Sequence, residues 1–431
     1  MRLLTDRRER WFHAFALANA TFGTASLLIP LYAAVVLSAS VGQVGLISSA
    51  ASLAGVPAGI LWGRLSDRLK RRKIFMIVGF TGVAIAFLLM GFSANLLQFV
   101  LLSALMNFAW MASASVSTLL VIERFDQSRW ELRIGRFSTY GGSGWVAGLA
   151  LGVLWMQLAE DGDSTATMMR ALFYLIAFMT LVSALLAKVW VPESRQHVKR
   201  RRFRSLSITG GNAIVEGLKY APLRMYHLAR PRRLLEVIHP RRFGKELTTY
   251  YQTAVLFFTG FMIFLVPFPI FLKQVLGLSN SEIYLLYIIN AGAKASLYRW
   301  AGKLAERFGN RRLQRTTLWV RVTIFPLAFL SLALTDHHLL VLAFIAVLFA
   351  VSGASWAFIG VSGVAIVSKL SGEGLRGQAI GTYNALAGIG GILGALIGGY
   401  LAEFSYLATF LLASLFLVAS IGISTRVRFP N

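Results

Sequence analysis

Gly63-Arg64-Leu65-Ser66-Asp67-Arg68-Leu69-Lys70-Arg71-Arg72 and Gly302-Lys303-Leu304-Ala305-Glu306-Arg307-Phe308-Gly309-Asn310-Arg311-Arg312 are two copies of one pattern, 239 residues apart. Each sets a glycine, an acid with an adjoining arginine, and then paired basic residues directly after a long apolar stretch. Other landmarks recur in the same order. Gly23 and Pro30 answer Gly260 and Pro267 at a shift of 237; Ser40, Val44 and Leu46 answer Ser279, Ile283 and Leu285 at 239; Tyr140 and Gly148 answer Tyr383 and Gly391 at 243. A single match means little. Their agreement to within a few residues marks an internal duplication.

The apolar stretches around these copies are long enough for a membrane, which needs roughly 20 residues per helix. Twelve spans are predicted: Trp11–Leu37, Val41–Trp62, Ile74–Phe92, Leu96–Ile122, Phe137–Leu158, Met168–Val191, Thr249–Phe271, Glu282–Trp300, Leu313–Leu334, Leu339–Val367, Ala379–Leu401 and Ser405–Ile423. Composition agrees. The 431 residues are 56% hydrophobic and 14% charged, against about 25% charged in soluble domains. The apolar stretch from Trp11 to Val36 is longer than a signal-peptide core and has no clear cleavage site, so it is read as the first span. Cysteine is absent, which removes disulfides and thiolate metal sites.

A net charge of +25 raises a nucleic-acid reading, but the position of the charge argues otherwise. With the N-terminus in the cytoplasm, Arg170 and Lys273 fall in outward segments and Arg321 inside a span; the other 40 of the 43 Lys and Arg are inward or at inward helix ends. That asymmetry is the positive-inside rule, and a missed or extra helix would scramble it. The expectation is an all-α protein of the cell membrane with both termini cytoplasmic. It has six-helix bundles at 1–191 and 248–431, related by a pseudo-two-fold axis along the membrane normal. The connection at 192–247 is basic, with Lys199-Arg200-Arg201-Arg202-Phe203-Arg204 among scattered apolar residues. It suits short amphipathic helices on the anionic inner leaflet.

The Gly63-x-x-x-Asp67-Arg68-x-x-Arg71-Arg72 loop resembles the signature loop of the major facilitator superfamily, in its prokaryotic 12-helix form, and its echo resembles the second-half copy. Val191-Pro192-Glu193-Ser194 and Arg376-Gly377-Gln378-Ala379-Ile380-Gly381 resemble that family's exit from the first half and entry to span eleven. The resemblance implies a monomeric secondary transporter of a small molecule, working by rocker-switch alternating access without a cofactor. It implies that Asp67 meets the N-terminus of span eleven, near Arg376. A helix N-terminus carries partial positive charge and free N–H donors, so that contact can hold the inner side shut. Arg71 could pair with Glu123 or Asp126; Gly63, Arg68, Gly302, Glu306, Arg307 and Arg311 complete the gate set.

By the same resemblance, spans one, four, seven and ten line a central cavity, with help from eight and eleven. The predicted lining is Asn19, Thr21, Asn107, Trp110, Gln252, Asn290, Trp356, Tyr383 and Asn384, an aromatic and neutral-polar set. None of the 18 acidic residues falls mid-span. Span four has no arginine, and span five, through Gly144-Trp145-Val146-Ala147-Gly148, has no proline; both departures argue against proton-coupled drug antiport. Lys294 and Arg321 lie inside spans. The simpler expectation is that both snorkel to the inner interface; the alternative is contact with an anionic substrate. Export of amphiphilic, drug-like compounds is the leading function. Uptake or exchange of a neutral or anionic metabolite, and a transport-inactive sensor or scaffold, are the alternatives. No nucleophile–base cluster, ligand spacing or phosphate loop points to an enzyme or a metal.

Overall fold

A computed structural model describes residues 9–69, 71–124, 130–160, 165–191, 244–371 and 376–427. Among them all regular structure is helical. Twelve long helices correspond one for one to the predicted spans: α1 Trp11–Val35, α2 Val41–Leu69, α3 Arg72–Gly91, α4 Leu96–Arg124, α5 Trp130–Glu160, α6 Thr165–Trp190, α7 Lys245–Leu265, α8 Asn280–Phe308, α9 Asn310–Phe329, α10 His338–Leu370, α11 Arg376–Phe404 and α12 Tyr406–Ser424. Ten are long and apolar enough to cross a membrane. The other two, α5 and α8, carry charges in their own turns, such as Arg133 and Arg136 or Lys303 and Arg307. Most of the central connection, 192–243, lies outside the described residues.

Local chemistry accounts for the ends. Ser40 and Ser279, matched by the repeat, are the same device. Gln43 Oε1 accepts from the Ser40 N–H at 2.9 Å while Ser40 Oγ accepts from Gln43 N–H at 3.2 Å. Ser279 and Glu282 form the equivalent capping box on α8, satisfying N–H groups that an isolated helix start leaves open. The seventh span is not one helix to Phe271, as expected. Pro267 lacks an N–H and ends the regular ladder; a helical turn at Phe268–Ile270 and a π-type turn at Phe271–Val275 complete it.

The packing repeats with the sequence. α1 packs on α5 and α6, α2 on α4, and α3 on α4 and α6; α7 packs on α11 and α12, α8 on α10, and α9 on α10 and α12. The two bundles meet along α2–α11 and α5–α8. Exchange of the halves turns each of these pairs into the other, as a two-fold axis requires. Within bundles the tightest seams are backbone on backbone. A Cβ on Gly148 would lie 1.8 Å from Ala20 O, so α1 and α5 touch without side chains between them. Gly394 and Gly398 make the matching approach of α11 to α7, at 2.4 Å from Thr259 O and from Ile263 O. Gly391, aligned with Gly148 by the repeat, has only Ser52 Oγ nearby at 3.8 Å. Small residues recur every three or four positions in both helices, so several registers place glycine on glycine.

The two ends of the molecule differ. At the end away from the termini, α2 and α11 are in contact: a Cβ on Gly45 would lie 2.4 Å from Ala395 O, and Ser49 Oγ donates to Ile392 O at 3.0 Å. There Glu403 Oε1 accepts from Gly42 N–H at 3.0 Å. Across the other seam Tyr284 Oη donates to Thr24 O at 2.7 Å, and its ring fills the space beside Gly152. Toward the termini this contact fades. Gly388 still meets Val56, but a Cβ on Gly63, Gly142, Gly292 or Gly381 would have nothing within 4 Å. Among the described residues the bundles are clasped at one end and parted at the other.

Candidate functional site

Each bundle presents an aromatic cluster. In the first, Trp110 on α4 packs 4.1 Å from Phe22 and stacks at 6.0 Å on Phe15, which in turn lies 4.3 Å from Phe137. In the second, Phe258 lies 5.6 Å from Tyr383 and 6.4 Å from Trp356, and Phe261 lies 5.4 Å from Trp356. Trp110, Phe258 and Trp356 stay partly exposed. Of the predicted lining, Trp110, Trp356 and Tyr383 therefore occupy the clusters. Asn384 is exposed on α11 one turn before Gly388, where the bundles begin to part. Asn107 Oδ1 faces Gly55 of α2, and Asn19 is partly exposed, its amide donating to Phe15 O at 2.8 Å.

Three predicted lining residues are placed differently. Thr21 is fully buried and accepts a hydrogen bond from Thr180 of α6 at 3.0 Å, so it serves packing inside the first bundle. Gln252 lies at the termini end with Thr249, Ile423 and Arg426, on the α12 side of α7 and away from Phe258; six helical positions separate Gln252 from Phe258, which turns it to another face. Asn290 donates to Phe349 O at 2.9 Å, tying α8 to α10, where Gly353 lets the backbones approach.

Arg321 is the largest departure. The expected snorkelling does not occur: the residue is 2% exposed. Its Nε donates to Ser355 Oγ and its Nη2 to Ser352 O, each at 2.7 Å. The guanidinium carbon lies 4.5 Å from the Phe261 ring centre and 5.4 Å from that of Trp356. Distance from a helix end is readable in sequence, but the direction in which the side chain leaves the helix is not. On α9 that direction is inward, onto α7 and α10. Lys294 lies half-buried on α8, one turn beyond Asn290.

The gate set is only partly described. Asp126, and the side-chain surroundings of Asp67, Arg68, Glu123, Gly302 and Arg376, lie outside the described residues. Arg71, Glu306 and Arg307 are exposed, and Gly63 stands in open space. Arg311 donates from Nη2 to Ser424 O at 3.1 Å and Thr425 O at 2.7 Å, satisfying carbonyls at the end of α12. Sequence reasoning missed Phe15, Phe22 and Phe261, which look like any apolar residue in a span. Glu403 lies in the last turn of α11, and its partner Gly42 is 361 residues away.

The family model of the Major Facilitator Superfamily matches residues 11–345 and 253–430. The chain belongs to the Major Facilitator Superfamily. Superfamily members of known structure share the fold over nearly its whole length. A point mutant of the nucleoside transporter NupG superposes with a TM-score of 0.74 at 15% identity, covering 98% of this chain and 100% of that one. A D-xylose–proton symporter gives 0.67 at 14%, covering 98% of each chain. Among curated proteins, the multidrug resistance protein MdtG of Citrobacter koseri is 35% identical over 161 residues, 36% of either chain. MdtG of Enterobacter lignolyticus is 32% identical over 203 residues, 44% of either chain. The chain thus spans about two-fifths of the length of these curated relatives.

Proposed function

We propose that this superfamily transporter exports amphiphilic compounds by rocking the bundles at 1–191 and 248–431 about the seams α2–α11 and α5–α8. The observation that carries this is the asymmetry of contact: seams closed beside Gly45 and Gly152, and open around Gly63, Gly142, Gly292 and Gly381, with partly exposed aromatics in both bundles. The excess of Lys and Arg at the open end makes that end cytoplasmic, so the arrangement is open to the cytoplasm. The partial similarity to proteins named for multidrug resistance supports export.

In this reading the reverse state closes the cytoplasmic end, and Asp67 then docks on the N-terminus of α11 by helix-dipole attraction. The basic connection rests on anionic lipid. Rings suit such cargo because they bind by area and stacking with little demand for polar partners. The test is efflux of ethidium from cells making the protein, against cells making a chain cross-linked between α2 and α11 at the far end. Faster efflux with the free chain supports the reading, and equal efflux in the two removes it.

A further inference from the structure

We propose that Arg321 is the recognition site for the carboxylate of an amphiphilic anion, held between Arg321 and the Trp356–Phe261 aromatic pair. The inference deepens the export reading and rests on it. A guanidinium has five N–H donors. Two are used here, Nε on Ser355 and one of Nη2 on the Ser352 carbonyl. Nη1 is buried and has no hydrogen-bond partner among the described residues. If pinning α9 to α10 were the only task, the two bonds to Ser352 and Ser355 would suffice, and a neutral donor could make them.

The charge is also unanswered. The acids described in this bundle are Glu246, Glu282, Glu306, Asp336 and Glu403, all at helix ends or in turns. None is recorded as an ion-pair partner of Arg321. Lys294, the other basic residue within a span of this bundle, has the same sign. Two cations inside a membrane bundle without a carboxylate are costly, and such residues mark substrate paths. Nor does the shared scaffold call for Arg321: between Lys73 and Arg124, covering α3 and α4, the equivalents of α9 and α10, the first half has no Lys or Arg.

The surroundings suit a head-and-body ligand. Ser352, the acceptor of Nη2, also lines a cavity of about 30 Å³ with Asn290, Tyr287 and Phe264. Arg321 does not itself line that space, which is far below the about 300 Å³ and above of sites for drug-sized ligands. The body must therefore lie on the aromatic side, where Trp356 covers the guanidinium and is itself partly exposed. Entry requires the indole to swing aside. A carboxylate then gains charge-assisted bonds from Nη1, while an uncharged isostere gains only stacking.

The test uses the full chain purified in dodecyl maltoside, titrated by calorimetry with 4-phenylbutyrate and with its amide, 4-phenylbutyramide. Wild type is expected to bind the acid about tenfold more tightly than the amide, the lower range for a hydrogen bond to a charged group. Arg321→Gln should erase that preference and leave amide affinity within about twofold, and Arg321→Lys should restore part of it. Lys294→Gln leaves the α9–α10 bonds intact and should reduce the preference severalfold, which keeps the test decisive should the Arg321 variants fail to elute as folded protein. Equal affinities in wild type, no acid binding in wild type, or a preference that survives Arg321→Gln would each overturn the proposal. So would competition of the acid by added phosphatidylglycerol, which would assign the site to a lipid head group. Ethidium efflux by the same wild-type chain separates the two claims: if it persists while the acid shows no preference, the anion site falls and the exporter reading stands.

Discussion

Glu403→Ala removes the carboxylate that, among the described residues, joins the two bundles across the closed end. Oε1 of Glu403 accepts the Gly42 N–H at 3.0 Å, and Gly42 is the second residue of α2, so this N–H is among those a helix leaves unpaired at its start. A hydrogen bond to a charged group contributes about 1.5–3 kcal/mol when well shielded, and an anion at a helix N-terminus about 0.3–1 kcal/mol at a surface. Glu403 is exposed, so the lower range applies and about 1 kcal/mol is expected, close to a fivefold change in an equilibrium constant. Starting from about 5% of molecules open at the far end, within the usual span of a minor state, the variant should reach about 20%. The chain has no cysteine, so spin labels at Leu97→Cys on α4 and Leu339→Cys on α10 report only themselves; both positions are exposed near the far end. Double electron–electron resonance should show the longer distance growing in Glu403→Ala, and growing less in Glu403→Gln, which keeps an acceptor oxygen. Superimposable distance distributions for wild type and Glu403→Ala would refute the latch.

Further outcomes follow from the same contacts. Tyr284→Phe deletes the 2.7 Å bond to Thr24 O while keeping the ring beside Gly152; it should weaken the closed end by about 1 kcal/mol, read with the same labels, and add to Glu403→Ala because the residues share no partner. Gly148→Val places a branched side chain where even a Cβ would sit 1.8 Å from Ala20 O, so the detergent-purified protein should lose its monodisperse elution or melt well below wild type. Gly142→Ala, on the same helix with nothing within 4 Å, should melt at or slightly above wild type, since alanine favours a helix over glycine by about 1 kcal/mol. Asp67→Asn should cut ethidium efflux several-fold with membrane insertion unchanged; unaltered efflux would remove the inner gate.

Twelve helices, their order and the duplication were legible in the sequence because each depends on local or periodic information. Apolar length marks a span, landmark residues recur at a nearly constant shift, and the basic loops recur at one end. Trp110, Trp356 and Tyr383, expected from the sequence as lining, fall in the two aromatic clusters. Azimuth and distant partners were not legible. Thr21 and Asn290 read as lining, and the structure gives both interhelical hydrogen bonds, because one polar residue in a span can serve either purpose until its neighbours are known. Glu403 lies just past the predicted end of span eleven, and only the approach of α11 to α2 makes it a latch. Arg321 is the sharpest case: its depth in α9 could be counted along the chain, but whether its charge reaches water or lies against Phe261 and Trp356 depends on which way α9 faces. That rotation is set by packing against α10 and α12, a property of the assembled bundle.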